Sequence, residues 1–152
     1  MTQPVQRPIT IVIADDDADD RQMTEEALRE ARLANDLHFV EDGVELIAFL
    51  TRTGDYESEK DAPRPGIVLL DLNMPRMDGR EALEVIKADP ELRRIPVVVL
   101  TTSKAEEDIY RSYDLGVSGY ITKPVTFDAL VKAMTDLGRY WFALVELPDQ
   151  IT

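Results

Sequence analysis

The sequence predicts an α/β fold in which parallel strands alternate with helices, and three observations predict it. The runs Ile9-Thr-Ile-Val-Ile-Ala14, Ile67-Val-Leu-Leu70 and Ile95-Pro-Val-Val-Val-Leu100 lack the polar/apolar alternation of half-exposed strands, so they read as strands covered on both faces, as in a parallel sheet. Segments with apolar residues at helical spacing lie between them, and such a βα succession, counted five times, demands right-handed crossovers with helices on both faces. Asp15 with Asp16, Asp71, Thr101 and Lys123 all stand just past the ends of separate strands. They therefore meet at one edge of the sheet, where βα turns open a crevice and ligands bind.

Residues 1–8 contain two prolines and read as a flexible tail before a domain spanning 9–140. After the first strand, the acids Asp15 to Asp20 include a helix N-cap, and Met23, Ala27, Leu28 and Ala31 mark a helix to about Arg32, with Met23, Ala27 and Leu28 taken as core. Asp17, Asp19 and Asp20 are read as cap and first-turn charges that favour the helix dipole. Leu37–Val40 is a short second strand containing His38, to which no role is assigned, and Glu41-Asp-Gly43 turns into a helix from about Val44 to Thr51. Arg52 to Gly66 lacks periodicity and reads as a long surface loop. Ile67–Leu70 is the third strand, ended at Asp71 and barred from continuing by Pro75, and Asp78-Gly79 opens a helix to Ala88. The fourth strand, Ile95–Leu100, stops on Thr101-Thr-Ser103. A more polar helix runs from Lys104 to about Asp114, with Gly116 suited to its C-terminal cap. Ser118–Ile121 is the fifth strand. Phe127, Leu130, Val131, Met134 and Leu137 mark a last amphipathic helix.

The chain of 152 residues has room for one domain with a real core. The absence of cysteine excludes disulfides, thiol catalysis and cysteine-bound metals, and a single histidine argues against a histidine metal site. A net charge of −13 repels nucleic acid and anionic lipid, so neither is expected as a partner. No apolar stretch approaches the ~18 residues of a membrane span, and the start lacks the order of a secretory signal, which makes the cytoplasm the expected location.

Three carboxylates in one crevice repel one another and are disfavoured by desolvation unless cations share the site. Lys123 supplies one cation. A hard divalent ion on oxygen ligands supplies the other, and Mg2+ fits, with Mn2+ as an alternative and Ca2+ as a substitute in crystals. A carboxylate set between such an ion and an ammonium is suited to accept a phosphoryl group, whose charge the fixed cations stabilise as it develops. Asp71 is the expected nucleophile, becoming an aspartyl phosphate.

These residues carry a resemblance. Ala14-Asp15-Asp16, Asp71-Leu-Asn-Met-Pro75 with Asp78-Gly79, Leu100-Thr101 and Tyr120-Ile-Thr-Lys123-Pro124 are similar, in identity, order and strand context, to the receiver domains of two-component response regulators. The resemblance covers 9–140 and implies a flavodoxin-like (βα)5 sheet in the order 2-1-3-4-5. It implies that Asp71 is the phosphoacceptor, that Asp16 binds Mg2+ directly and Asp15 through water, that the Asn73 backbone carbonyl is a further ligand, and that Lys123 pairs with phosphoryl oxygens. By the same resemblance Thr101 donates its hydroxyl to the phosphoryl group, Tyr120 moves inward behind it to change an α4–β5–α5 surface, and Lys123-Pro124 is a cis bond. Thr102 departs from the alanine or glycine often found there, so access of water to the phosphoryl group is expected to depart too.

The 52–66 loop, Pro96-Val-Val-Val-Leu-Thr-Thr-Ser103 and Tyr140-Trp-Phe-Ala-Leu-Val-Glu-Leu-Pro148 are similar, more narrowly, to the small single-domain regulators that partner bacterial phytochromes. The expected partner is a sensor histidine kinase, a bacteriophytochrome in this narrower resemblance. Tyr140, Trp141, Phe142, Leu144, Val145 and Leu147 exceed the apolar surface one helix edge can bury at home. Residues 141–152 are accordingly expected to end the last helix and extend as an arm that forms an isologous homodimer. With no effector domain following, output is expected through association.

Rival readings are weaker. Asp15 to Glu26 spaces its acids like a calcium loop, yet Asp20 stands where that loop needs glycine. A phosphatase acting through an aspartyl phosphate needs a second acid two residues after the nucleophile, where this chain has Asn73. No glycine-rich phosphate loop follows Ala14. A phosphorylation-independent scaffold of the same fold remains the alternative, and the intact acids, Thr101 and Lys123 argue against it.

Overall fold

The computed structural model describes residues 10–32, 36–54, 56, 65–74, 76–123 and 126–141. The elements in order are β1 (Thr10–Ala14), α1 (Ala18–Glu30), β2 (Asp36–Val40), α2 (Gly43–Thr51), β3 (Ile67–Asp71), α3 (Gly79–Ala88), a 3-10 turn (Leu92–Arg94), β4 (Val97–Thr101), α4 (Lys104–Ser112), β5 (Gly119–Thr122) and α5 (Phe127–Trp141). All strand pairs are parallel, in the order β2-β1-β3-β4-β5.

The apolar runs take the centre for the reason read from them. Every residue of β1, β3 and β4 is buried, because side chains alternate to opposite faces and both faces are covered. Val12, Ala14, Val68, Leu70, Val97 and Val99 pack against α2 and α3 through Leu46, Phe49, Leu83 and Ile86. Ile11, Ile13, Leu69, Val98 and Leu100 pack on the other face against Ala27 and Leu28 of α1 and Leu130, Met134 and Leu137 of α5.

Two glycines let loops close on the site edge. A Cβ on Gly79 would lie 2.6 Å from the Leu72 Cα, and one on Gly43 would overlap the Met77 carbonyl, to which the Gly43 N–H donates at 2.9 Å. Asp42 caps α2 and pairs with Arg76 at 2.7 Å, so the loop after β3 is fastened to the start of α2. Burial opposes ionisation of Asp42, but the Glu45 N–H and Arg76 prevail and hold its carboxyl below the usual range.

Several expectations are corrected. Met23 is 39% exposed, and Thr24 is buried in its place. Helix α4 ends at Ser112 with Tyr113 as its cap, Asp114 at φ 50° takes the left-handed position directly after the cap, and Gly116, at φ 71°, serves the turn beyond it. β4 begins at Val97, because Leu92–Arg94 forms a 3-10 turn whose Leu92 carbonyl receives the Ile95 N–H. The 1–8 tail, most of the 52–66 loop, Pro75, the Lys123–Pro124 peptide and residues 142–152 lie outside the described residues. No helix among the described residues is long and apolar enough to cross a membrane.

Candidate functional site

Asp71, the last residue of β3, is 5% exposed. Its Oδ1 accepts from the Asn73 N–H at 2.9 Å, the turn that stops the strand. Its Oδ2 faces the Lys123 ammonium at 3.2 Å. Asp15, directly after β1, is fully buried; its Oδ1 accepts from the Asp17 N–H at 3.0 Å, and Arg21 donates to its carbonyl at 2.7 Å. Asp16 is exposed beside it. Carboxylate oxygens of Asp15, Asp16 and Asp71 lie within 4.8 Å of one another, a set of hard donors spaced to hold one metal ion.

Lys123 reaches this cluster because its backbone N–H continues the β5 ladder, donating to the Thr101 carbonyl at 2.7 Å. An ammonium has three protons to donate, and each has a carboxylate: Asp15 and Asp20 at 2.9 Å and Asp71 at 3.2 Å. The charges respond in different senses. Burial disfavours the Lys123 charge, but the hydrogen bonds from Asp15 and Asp20 and the attraction of Asp71 and Asp15 outweigh burial and raise its pKa above the usual lysine range. Asp71 is pushed up, because burial and the neighbouring Asp15 charge exceed what the Asn73 N–H and its share of Lys123 return. Without a further cation the Asp71 end therefore carries excess negative charge, the condition a divalent ion relieves.

The other predicted side chains are engaged elsewhere. The buried Thr101 hydroxyl is directed to β5, 3.5 Å from the Ile121 carbonyl and 3.4 Å from the Thr122 hydroxyl. Tyr120 is half-buried, its hydroxyl donating to the Tyr110 carbonyl at 3.3 Å and its ring lying 4.7 Å below the Arg111 guanidinium. The side-chain amide of Asn73 turns to Glu106 of α4. His38 pairs with Asp36 and packs on Phe49, a structural use.

Two participants escaped the sequence reading. Asp20 is a first-turn residue of α1, as expected, and also a full partner of Lys123. A lysine ammonium has a third proton to donate beyond Asp15 and Asp71, but nothing in the local sequence of α1 marks Asp20 as its acceptor. Glu107 is the buried residue of α4: Lys104 and Arg111 bind it and lower its pKa, and the Thr122 hydroxyl lies 3.4 Å from it.

A buried carboxylate with a lysine at its edge and space for a hard cation can accept a phosphoryl group in line. Comparison with known proteins agrees with this geometry. The family model described as response regulator receiver domain matches residues 11–135. Response regulator Rcp1 of Synechocystis sp. is 41% identical over 141 residues, 93% of this chain and 94% of that protein. Among solved structures, the phosphorylated cyanobacterial phytochrome response regulator RcpA superposes with a TM-score of 0.77 at 41% identity, over 90% of this chain and 95% of that one. The Mn2+-bound form of Rcp1 matches with a TM-score of 0.75 at 40% identity, over 91% and 97%.

Proposed function

The chain belongs to the response regulator receiver-domain family, and from that premise we propose that Asp71 accepts a phosphoryl group from a phosphohistidine of a sensor kinase. The observation that carries this is the meeting of buried Asp71 with Lys123 and with the Asp15–Asp16 carboxylates at one strand edge. In the transfer an Asp71 Oδ–P bond forms as the imidazole N–P bond breaks in line, and the imidazole leaves as the neutral ring once protonated. Lys123 holds an ammonium at Asp71 Oδ2, where phosphoryl oxygens arrive, and the Asn73 N–H keeps the other carboxylate oxygen oriented. Asp15, Asp16 and Asp71, with the Asn73 carbonyl, would hold Mg2+, and the donor set fits such an ion. When bound, it supplies charge stabilisation for the oxygens of the transferring group. Thr101 and Tyr120 are proposed to carry the change to α4, β5 and α5.

Intact mass of wild type and Asp71→Asn, after acetyl phosphate with and without Mg2+, tests the reading. One phosphoryl group gained by wild type alone, dependent on Mg2+, is expected. Equal labelling of Asp71→Asn at the same site contradicts the mechanism, and no gain in wild type favours the scaffold.

The similarity to phytochrome response regulators supports a bacteriophytochrome as the kinase, in the cytoplasm. A homodimer through α5 and the Tyr140–Pro148 arm is proposed on the apolar excess of that segment alone. Truncation before Tyr140 is expected to give a monomer in sizing experiments, and a dimer of the truncated chain refutes it.

A further inference from the structure

Two loops at the acceptor edge are joined by a carboxylate that belongs to neither. Ser103 caps α4, its hydroxyl accepting from the Glu106 N–H at 3.1 Å. In a start of this S-x-x-E kind the glutamate ordinarily folds back onto the N–H of the capping serine. Here the Glu106 carboxylate goes one residue further. Its Oε1 accepts from the Thr102 N–H at 3.2 Å and its Oε2 from the Thr102 hydroxyl at 3.1 Å. The Asn73 side-chain amide donates to the same two oxygens at 3.5 and 3.3 Å. Asp71 and Leu100 are register partners across β3 and β4. Asn73 and Thr102 thus occupy equivalent places, each two residues past that pair, and the bridge between them crosses the edge directly beyond Asp71. It is anchored at the acceptor itself, since the Asn73 N–H donates to Asp71 Oδ1.

We propose that Glu106 is a positioning residue that holds this bridge over the mouth of the acceptor and so sets how readily a group reaches Asp71 in line, an inference that rests on Asp71 being the phosphoacceptor. Loading from a small donor breaks the donor O–P bond opposite the new Asp71 Oδ–P bond. Hydrolysis puts a water oxygen in that same apical place, breaks the Asp71 Oδ–P bond, restores the carboxylate and releases inorganic phosphate and a proton. Donor and water therefore need one open face. The bridge narrows it for both, and its position explains why Thr102 matters as an anchor as well as by its bulk.

The test uses the full chain as wild type, Glu106→Ala and Glu106→Gln, loaded with acetyl phosphate and Mg2+ and followed by intact mass during loading and after donor removal. Glu106→Ala is expected to load and decay faster by about five-fold, the scale of a lost hydrogen-bonded tie. Glu106→Gln keeps an oxygen acceptor for Thr102 and Asn73 and an amide donor to the Thr102 hydroxyl. It is expected within about two-fold of wild type, a rescue that a role of charge alone does not produce. Wild-type decay in Glu106→Ala, a change in only one of loading and decay, or Glu106→Gln behaving as Glu106→Ala overturns the role while leaving the acceptor reading intact. No phosphoryl gain by wild type overturns both.

Discussion

The two halves of the site edge are held in opposite ways. At the β1–β3 end, Asp15 and Asp71 have almost no exposure, and Lys123 contacts Asp15, Asp20 and Asp71 at 2.9 to 3.2 Å. At the β4–β5 end, the hydroxyl contacts of Thr101, Tyr120 and Thr122 run from 3.3 to 3.5 Å, β5 is half-buried throughout, and the buried residue of α4 is the charged Glu107. Hydroxyl hydrogen bonds ordinarily span about 2.5–3.0 Å, so the second half sits near the outer limit of bonding. The difference suits a two-part device. Charge is fixed where a bond would form, and the groups proposed to change partners are held weakly enough to do so.

The largest effect should come from breaking the tight half. Lys123→Ala strands Asp15 and Asp71 without their ammonium, and loss of one member of a buried charged cluster is expected to cost about 3 kcal/mol in metal-free buffer, measured by urea unfolding. Added Mg2+ should return part of it. The variant is expected to retain some phosphoryl uptake but no surface response, and an unchanged phosphorylation-dependent shift would refute the assignment of Lys123.

Asp71→Asn acts in the other direction. Burial raises the folded-state pKa of Asp71 above its ordinary 3.8, so the folded protein binds its proton more tightly than the unfolded chain does. Ionised Asp71 therefore costs stability at neutral pH, and the asparagine variant should unfold at higher urea than wild type at pH 7. That advantage is full above the folded pKa, shrinks as pH falls through it, and vanishes below 3.8. A constant advantage across that range would show that packing, not charge, is responsible.

What the sequence disclosed follows the same division. Strand runs and the residues ending them were legible, because burial on both faces demands continuous apolar stretches, which Asp15, Asp71 and Thr101 end at defined points, while Lys123 follows the shorter, half-buried β5. Contacts made across elements by side chains other than those at strand ends were not. Asp20 reaches Lys123 over 103 positions of sequence, and its cap-like context gave it a sufficient local explanation. Met23 has a helical partner in Ala27, yet Met23 and Thr24 both line the same cleft as Leu100 and Met134, and of the two it is Thr24 that is buried. The Ser103–Glu106 spacing looks like a local cap, and only the register of β3 with β4 shows that Glu106 has Asn73 within reach.

In the loose half, substitutions should alter response more than stability. Thr101→Val keeps the shape and removes a hydroxyl whose contacts are both long, so unfolding free energy should change by less than about 1 kcal/mol. Its phosphorylated form should nevertheless lack the change at Tyr120. A loss of several kcal/mol would mean the β4–β5 end is as tightly held as the acid pocket.

The smallest effect separates two restraints on Tyr120. Arg111 lies over its ring at 4.7 Å and donates to Glu107 at 3.3 Å, whereas the ring hydroxyl is held independently by the Tyr110 carbonyl. Arg111 is 54% exposed, so its attraction to the ring belongs at the weak end of such contacts, about 0.5 kcal/mol. That energy is too small to register in unfolding, but in a two-position equilibrium it corresponds to roughly a two-fold change of populations. Arg111→Ala should therefore shift the fluorine resonance of fluorotyrosine at position 120 toward its phosphorylated position without any phosphoryl group, while Lys104, bonded to the same Glu107 oxygen, keeps α4 in place. Arg111→Lys retains the charge but not the planar stacking and should shift it as well. If neither variant moves the resonance, the Tyr110 carbonyl holds the ring, and the restraint on the switch lies in the backbone of α4 instead of on its surface.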